Sequence, residues 1–376
     1  MIDRELQIGN VPRSRIGRVA DPALRAFFAA IPKVELHCHL LGSVRRETFA
    51  SLVAKYEAPI GADEIAGFFA RGEKPVGVLR VLRALERYLL REAGDFRRIT
   101  YEYLAAAAGE AVRHAEFFWN PTGSLVHSGL PYRAMQDAIL AGMRDAQADY
   151  GITSLLIPSI DREAEPAEAL AMVEAMLGCR DPRVAGIGID YSEIDRPPEL
   201  FAAAYSLAKR YGLRTTAHAG EFGMPWRNVA TAIDRLGVDR VDHGYTIVDN
   251  PELAADYARR GIVFTVVPTN SYYLRTLPPA RWASDHPIRR MARLGLRLHP
   301  NTDDPALHSV SPGGAWELMY THFGFGLADL RGMMLNGIAG SWAGAASRAR
   351  WQTEWPAEFD RLAERLAVPA DAGGVD

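Results

Sequence analysis

Four short segments carry the residues best suited to chemistry: His37-Cys38-His39, His218-Ala219-Gly220-Glu221, Asp242-His243-Gly244 and Asp303-Asp304-Pro305. His37 and His39, at spacing i, i+2 on an extended segment, point to the same side. Two imidazoles, a third from His218 and a carboxylate from Asp303 make an N₃O donor set. Such a set suits Zn²⁺ or a similar divalent ion, with one position left for water. Neutral imidazoles with a single carboxylate leave the site net positive, which brings water closer to ionising near neutral pH. A lone histidine is more often a satisfied structural residue, so the weight rests on four segments doing this together. His114, His286, His299 and His322 fall outside the pattern and are expected to be structural, whereas His127 and His308 are candidates to line a pocket. The chain has four lysines, Lys33, Lys55, Lys74 and Lys209. None ends an expected strand, which favours one metal over a lysine-bridged pair.

These residues need elements that bring them together. Period-2 or short apolar runs predict strands at Val34–Leu40, Ala115–Trp119, Thr153–Pro158, Val184–Asp190, Arg214–His218, Arg240–His243, Val263–Val267 and Arg297–Asn301. Helical patterns separate them. Strict alternation argues a parallel sheet, and eight units argue a closed (β/α)₈ barrel, in which all strand C-termini share the face where active sites form. An open doubly wound sheet would call for a glycine-rich phosphate turn after the first strand, and His37–Gly42 is not one. The expected organisation is one α/β barrel domain over residues 1–376, with a helical insertion over about 44–113 after the first strand and C-terminal helices over about 313–367. An irregular arm at 1–31, with a short helix near Pro22–Ala30, precedes the barrel, and the tail from Gly373 is expected to be disordered.

Composition narrows the partners. A net charge of −3 over 376 residues gives no reason to expect nucleic acid or an anionic membrane. Cys38 and Cys179 lie far apart, which fits a reducing compartment rather than a disulfide framework. The N-terminus has no apolar run behind its charges, and no segment reaches the roughly 20 apolar residues of a membrane helix. The expectation is a soluble cytoplasmic protein acting on a small molecule. Oligomeric state is not legible.

The segments His37-Cys38-His39-Leu40, Thr216–Glu221, Asp242-His243-Gly244 and Asn301–Pro305 resemble the adenosine and adenine deaminase branch of the amidohydrolase superfamily, in the same order from about 33 to 345. The resemblance implies a (β/α)₈ barrel, one Zn²⁺ and hydrolysis of an amino group from a purine-like ring. It makes His37, His39, His218 and Asp303 the zinc ligands. It makes Glu221 the donor of a proton to the ring nitrogen beside the attacked carbon, and His243 the histidine that steers the attacking hydroxide. It places Asp304 on the imidazole half of the purine and Gly220 beside the substrate. Adjacent Asp303 and Asp304 can then divide roles, one neutralised by metal and the other free to bind. The zinc deaminase fold that uses a Pro-Cys-x-x-Cys motif is excluded, because the motif is absent.

Leu41 departs from the pattern. Adenosine deaminases carry an aspartate there for the ribose 5′-hydroxyl, and adenine deaminases a glutamate; leucine accepts no hydrogen bond. Gly188–Glu193 with Arg196-Pro197-Pro198 looks closer to the adenine deaminase-like subgroup, which puts Glu193 at the substrate. Trp119, Asn120, Tyr272 and Tyr273 are further candidates to shape the pocket. The leading expectation is deamination of adenosine or a close relative. Alternatives are adenine, a 5′-modified adenosine, another aminated heterocycle such as a pterin or triazine, or a binding protein that has lost turnover.

Overall fold

The computed structural model describes residues 21–70 and 77–366. The arm over residues 1–20, Lys74, residue 367 and the tail from Gly373 lie outside the described residues. Eight strands run β1 (Lys33–Glu35), β2 (Val112–Trp119), β3 (Thr153–Asp161), β4 (Gly186–Asp190), β5 (Arg214–Ala219), β6 (Arg240–His243), β7 (Val263–Val266) and β8 (Arg297–Pro300). They pair in sequence order, and every neighbouring pair is parallel. Past the last regular rungs, Asp303 N–H donates to His37 O at 2.9 Å and His39 N–H donates to Asp303 O at 2.8 Å. The seam between first and last strands is thus closed by the segments that carry candidate ligands, and the architecture is a (β/α)₈ barrel.

The first strand is shorter than its alternation predicts. Its regular ladder stops at Glu35, because Leu36 N–H donates to the side chain of Asn301 at 2.9 Å instead of to a neighbouring backbone. Pairing resumes only as single bridges, Cys38 to Asp303 and His39 to Phe118. His37 and His39 therefore sit beyond the regular strand, and the backbone still holds them on both sides.

The stretch 44–113 carries the helices Arg46–Lys55, Ala62–Phe69, Val78–Ala84 and Ala93–Ala108, with a π-turn at Leu85–Leu89. The last of these helices stops at Ala108, short of β2. Ala111 adopts φ +56°, a region that breaks a helix, and Val112 already pairs in β2. At the other end, the C-terminal helices expected over about 313–367 are Pro312–Thr321, Leu327–Gly340 and Ala345–Arg365 among the described residues. Gly324, at φ +75°, lies in the first break.

The opposite end of the barrel is plugged by polar residues. Glu116 pairs with Arg240, and both are fully buried. Arg240 also donates to Leu36 O at 3.1 Å, and His114 reaches Glu116 at 3.2 Å. Lys33, at the start of β1, donates to Phe28 O and Ile31 O at 2.6 and 2.8 Å. No helix among the described residues is long and apolar enough to cross a membrane.

Candidate active site

The strand tips converge as the barrel requires. His37 and His39 come from the extension of β1, His218 from β5, His243 from β6 and Asp303 from the turn after β8. Each of the first three histidines is tethered through Nδ1. His37 Nδ1 lies 3.0 Å from Thr265 Oγ1, His39 Nδ1 lies 3.4 Å from Asp190 Oδ2, and His218 Nδ1 lies 3.4 Å from Asp242 Oδ2. Outer oxygens of this kind fix ring orientation and leave Nε2 to point inward. Asp190 and Asp242 are themselves held, by Asn120 at 2.8 Å and by Thr216 and Thr265, each at 2.8 Å.

The inward nitrogens meet one carboxylate. Asp303 Oδ1 is 3.4 Å from His37 Nε2 and 3.2 Å from His39 Nε2, and the Nε2 atoms of His39 and His218 are 3.1 Å apart. His37 Nε2 is buried and makes no hydrogen bond within the described residues. Lone pairs packed around a shared carboxylate fit a cation better than they fit one another. Asp303 stands at φ +63°, a conformation that costs on the order of 1–3 kcal/mol for a non-glycine residue. Burial would raise its pKa, but His37 and the neighbouring imidazoles hold its carboxyl well below the usual range.

His37, His218, His243 and Asp303 also present ligand atoms within 4.8 Å of one another. His243 differs from His39 in its partners. Its Nδ1 faces the Tyr245 hydroxyl at 3.3 Å, and its Nε2 faces Glu221 Oε2 at 3.4 Å. Burial, then the nearby His37, holds its pKa well below the ordinary imidazole value.

Glu221 lines the cavity beside this cluster. Burial, then the charge of Asp303, pushes its pKa above the ordinary carboxyl range. Asn270 Nδ2 donates to its Oε1 at 2.9 Å. Glu193 anchors its backbone by accepting from Gly220 N–H at 2.9 Å and Glu221 N–H at 3.0 Å, while Asn228 holds Glu193 at 2.8 Å. Gly220 has φ +68°, and a Cβ there would lie 2.5 Å from Thr246 Oγ1.

A cavity of about 210 Å³ opens onto this cluster. Its polar side includes His39, His218, Glu221, Asp304 and His308. Leu79, Leu82 and Phe222 form an apolar side, and the exposed Arg80 and Arg275 are also among the lining residues. Other residues singled out in the sequence lie elsewhere. Leu41 is 4% exposed and belongs to the core, in the 3₁₀ turn Leu41–Ser43, and it is not on the cavity wall. Glu193 lies under the Gly220–Glu221 turn. Trp119 packs between Phe96 and Tyr132 at ring separations of 6.2 and 5.3 Å, and Asn120 acts through Asp190. Tyr273 packs on Tyr245 and His286, and Tyr272 on Phe222. His127 is exposed on the helix Thr122–Ser128.

Sequence reasoning gave no role to Asn270, Asp190, Asp242 or Gly42. Asn270 carried a readable signal, since Asn followed by Ser marks a helix start. It caps the helix Ser271–Thr276. A Cβ at Gly42 would lie 1.8 Å from Asp304 Oδ1, so the turn after His39 needs glycine to admit Asp304.

Residues 32–354 match the family described as adenosine deaminase. An adenine deaminase of Cupriavidus taiwanensis is 32% identical over 337 residues, covering 89% of this chain and 94% of that protein. Among solved structures, a Burkholderia ambifaria amidohydrolase with bound Zn is 63% identical with a TM-score of 0.92, covering 94% of this chain and 98% of that one. The adenine deaminase of Arthrobacter aurescens is 27% identical with a TM-score of 0.80, covering 89% and 100%. The chain belongs to the adenosine deaminase family, and its His/Asp cluster is a site for a divalent metal such as zinc.

Proposed function

We propose that this member of the adenosine deaminase family removes the 6-amino group of a purine by hydrolysis, and that its preferred substrate is the free base adenine rather than adenosine. The coarser statement, a hydrolase that deaminates an aminopurine, follows from its relatives. The observation that carries the chemistry is Glu221, a part-buried carboxyl on the cavity wall beside the metal cluster, 3.4 Å from His243 Nε2, whose pKa is raised by burial. In the balanced reaction, C–NH₂ and water give C=O and ammonia.

His37, His39, His218 and Asp303 are the proposed ligands, because the three imidazoles are braced at Nδ1, His37 and His39 reach Asp303 through Nε2, and His218 Nε2 lies 3.1 Å from His39 Nε2. A bound divalent ion supplies Lewis acidity that readies a water for attack near neutral pH. Glu221 gives its proton to the ring nitrogen next to the attacked carbon, which makes that carbon more electrophilic. Neutral His243, behind Glu221, takes up a proton released from the attacking water. Proton return to the amino group lets ammonia leave. Asp304, on the cavity wall, accepts from the imidazole half of the purine.

The preference for a free base rests on the far side of the cavity. Leu41 is turned into the core and is not on the cavity wall, and Leu79, Leu82 and Phe222 make one part of that wall apolar, while Arg80 and Arg275 also line it; the relatives named adenine deaminase support the same preference. The same apolar wall favours a 5′-alkylthio nucleoside as the second reading. The test is ammonia release by the zinc-loaded protein from adenine, adenosine, 5′-deoxyadenosine and 5′-methylthioadenosine. Adenine is expected to have the highest kcat/KM. A higher value for adenosine would reverse the assignment.

A further inference from the structure

The apolar wall of the cavity is borne by a helix too short to hold itself in place. Val78–Ala84 has seven residues, and isolated helices under about 12–15 residues are marginal in water. This helix supplies Leu79 and Leu82 to the cavity. Arg83, beside Leu82 and one turn after Leu79, fastens it. Its guanidinium nitrogens lie 2.7 Å from Asp161 Oδ2, 2.8 Å from Glu163 Oε2 and 3.0 Å from Glu86 Oε2, and the group stacks on the Tyr191 ring at 3.8 Å from its centroid.

These partners belong to separate parts of the rim. Asp161 ends β3 and Tyr191 follows β4, while Glu86 lies in the π-turn Leu85–Leu89. The Tyr191 hydroxyl donates to Glu86 Oε1 at 2.7 Å, so Arg83, Glu86 and Tyr191 close a ring of contacts, and Tyr191 itself lines the cavity. Glu86 and Asp161 are buried. A planar fork can meet two carboxylates and an aromatic face at once, which a point charge on a flexible stem cannot.

We propose that Arg83 is a positioning residue that determines substrate selectivity: it fixes where Leu79 and Leu82 stand, and so how much room the cavity leaves beyond a purine ring. The inference rests on the deamination reading for its catalytic meaning. Neither Arg83 nor its four partners are among the proposed ligands, and Glu221 is held by other residues, Glu193 and Asn270. A loosened wall therefore changes binding, which appears in KM, before it changes the chemical step. A ring-sized substrate loses contact, while a bulkier one gains space.

The experiment compares the zinc-loaded full chain with Arg83→Met, Arg83→Lys and Glu163→Gln. Methionine keeps apolar length and removes the fork. Lysine keeps a charge between Glu86 and Asp161, and Glu163 is the most exposed of the three carboxylates. In Arg83→Met, KM for adenine is expected to rise about tenfold, and the ratio of kcat/KM for adenine over adenosine to fall about tenfold, the worth of a small apolar contact. Zinc content should match wild type and kcat should change less than KM. Arg83→Lys should recover part of the ratio, and Glu163→Gln should lose a smaller part. An unchanged ratio overturns the inference, as does a fall in kcat with KM unchanged. Where Arg83→Met does not fold, Arg83→Lys and Glu163→Gln decide by the same measures. Amide hydrogen exchange reads the wall without turnover: it should quicken across Val78–Ala84 in the Arg83 variants, with β5 and β6 unchanged. If the wild type prefers adenosine, the free-base assignment falls, while the shift of the ratio still decides this inference. If it deaminates no aminopurine, the function falls, and equal exchange in wild type and Arg83→Lys overturns the inference.

Discussion

Glu193 holds Glu221 from beneath: its Oε2 accepts the Glu221 backbone N–H at 3.0 Å, and its Oε1 accepts Gly220 N–H at 2.9 Å. One buried carboxylate thus sets the backbone from which the acid projects. Hydrogen bonds to a charged group are worth about 1.5–3 kcal/mol, and a buried donor left without a partner adds to the cost of removing them. Glu193→Gln turns one accepting oxygen into an NH₂ that faces an N–H. We expect kcat to fall by about ten- to a hundredfold, with zinc retained. Steady-state kinetics alongside metal analysis checks this.

Glu221→Gln keeps the shape of the side chain and its contact with Asn270 while removing the transferable proton. Turnover should drop by about 10²- to 10⁴-fold, the usual contribution of a positioned acid, and zinc content should match wild type. Full activity in this variant would refute the proton-transfer role.

Gly42→Ala should act on substrate binding and leave the metal in place. Its Cβ would be built 1.8 Å from Asp304 Oδ1, so Asp304 must move. Overpacking of this kind costs about 1–3 kcal/mol. KM is expected to rise more than kcat falls, and thermal unfolding should report a modest loss of stability.

Chelation should abolish activity and lower the unfolding midpoint, because an ion bound only by the folded state stabilises that state by mass action. Zinc added back should restore both. Calorimetry with and without chelator measures the shift.

His286 gives the fold an acid sensitivity. Burial lowers its pKa from 6.5 to about 3, and its Nδ1 accepts Ile288 N–H at 3.2 Å. The unfolded chain takes up this proton near pH 6.5 and the folded chain only near pH 3. The unfolded state therefore binds more protons between those values, and stability falls as pH drops through that window. His286→Asn keeps an acceptor for Ile288 and removes the titration. Its urea midpoint should be lower than wild type at neutral pH and should fall less on acidification.

The strand periodicities and the acids and histidines that end them already imply the barrel and its metal face. Alternation determines which side chains share a face, and chain order in a parallel barrel places every strand tip on one rim. The convergence of His37, His39, His218 and Asp303 on one rim was legible for that reason. Supporting contacts were not, because they depend on where loops return. Glu193 meets Glu221 and Asn228 across separations of 28 and 35 residues, and Asn270 meets Glu221 across 49. No local pattern encodes such distances. Leu41 shows the same limit in reverse. As a letter it suggested a pocket lacking a hydroxyl acceptor, but the 3₁₀ turn at Leu41–Ser43 carries it into the core. Trp119, at the end of β2, likewise packs under the helices instead of facing the cavity. Local sequence decided which residues could do the chemistry. Packing of the loops decided which of them face the substrate, because the direction of a side chain beyond a strand end follows backbone dihedrals and contacts that form only in the folded chain.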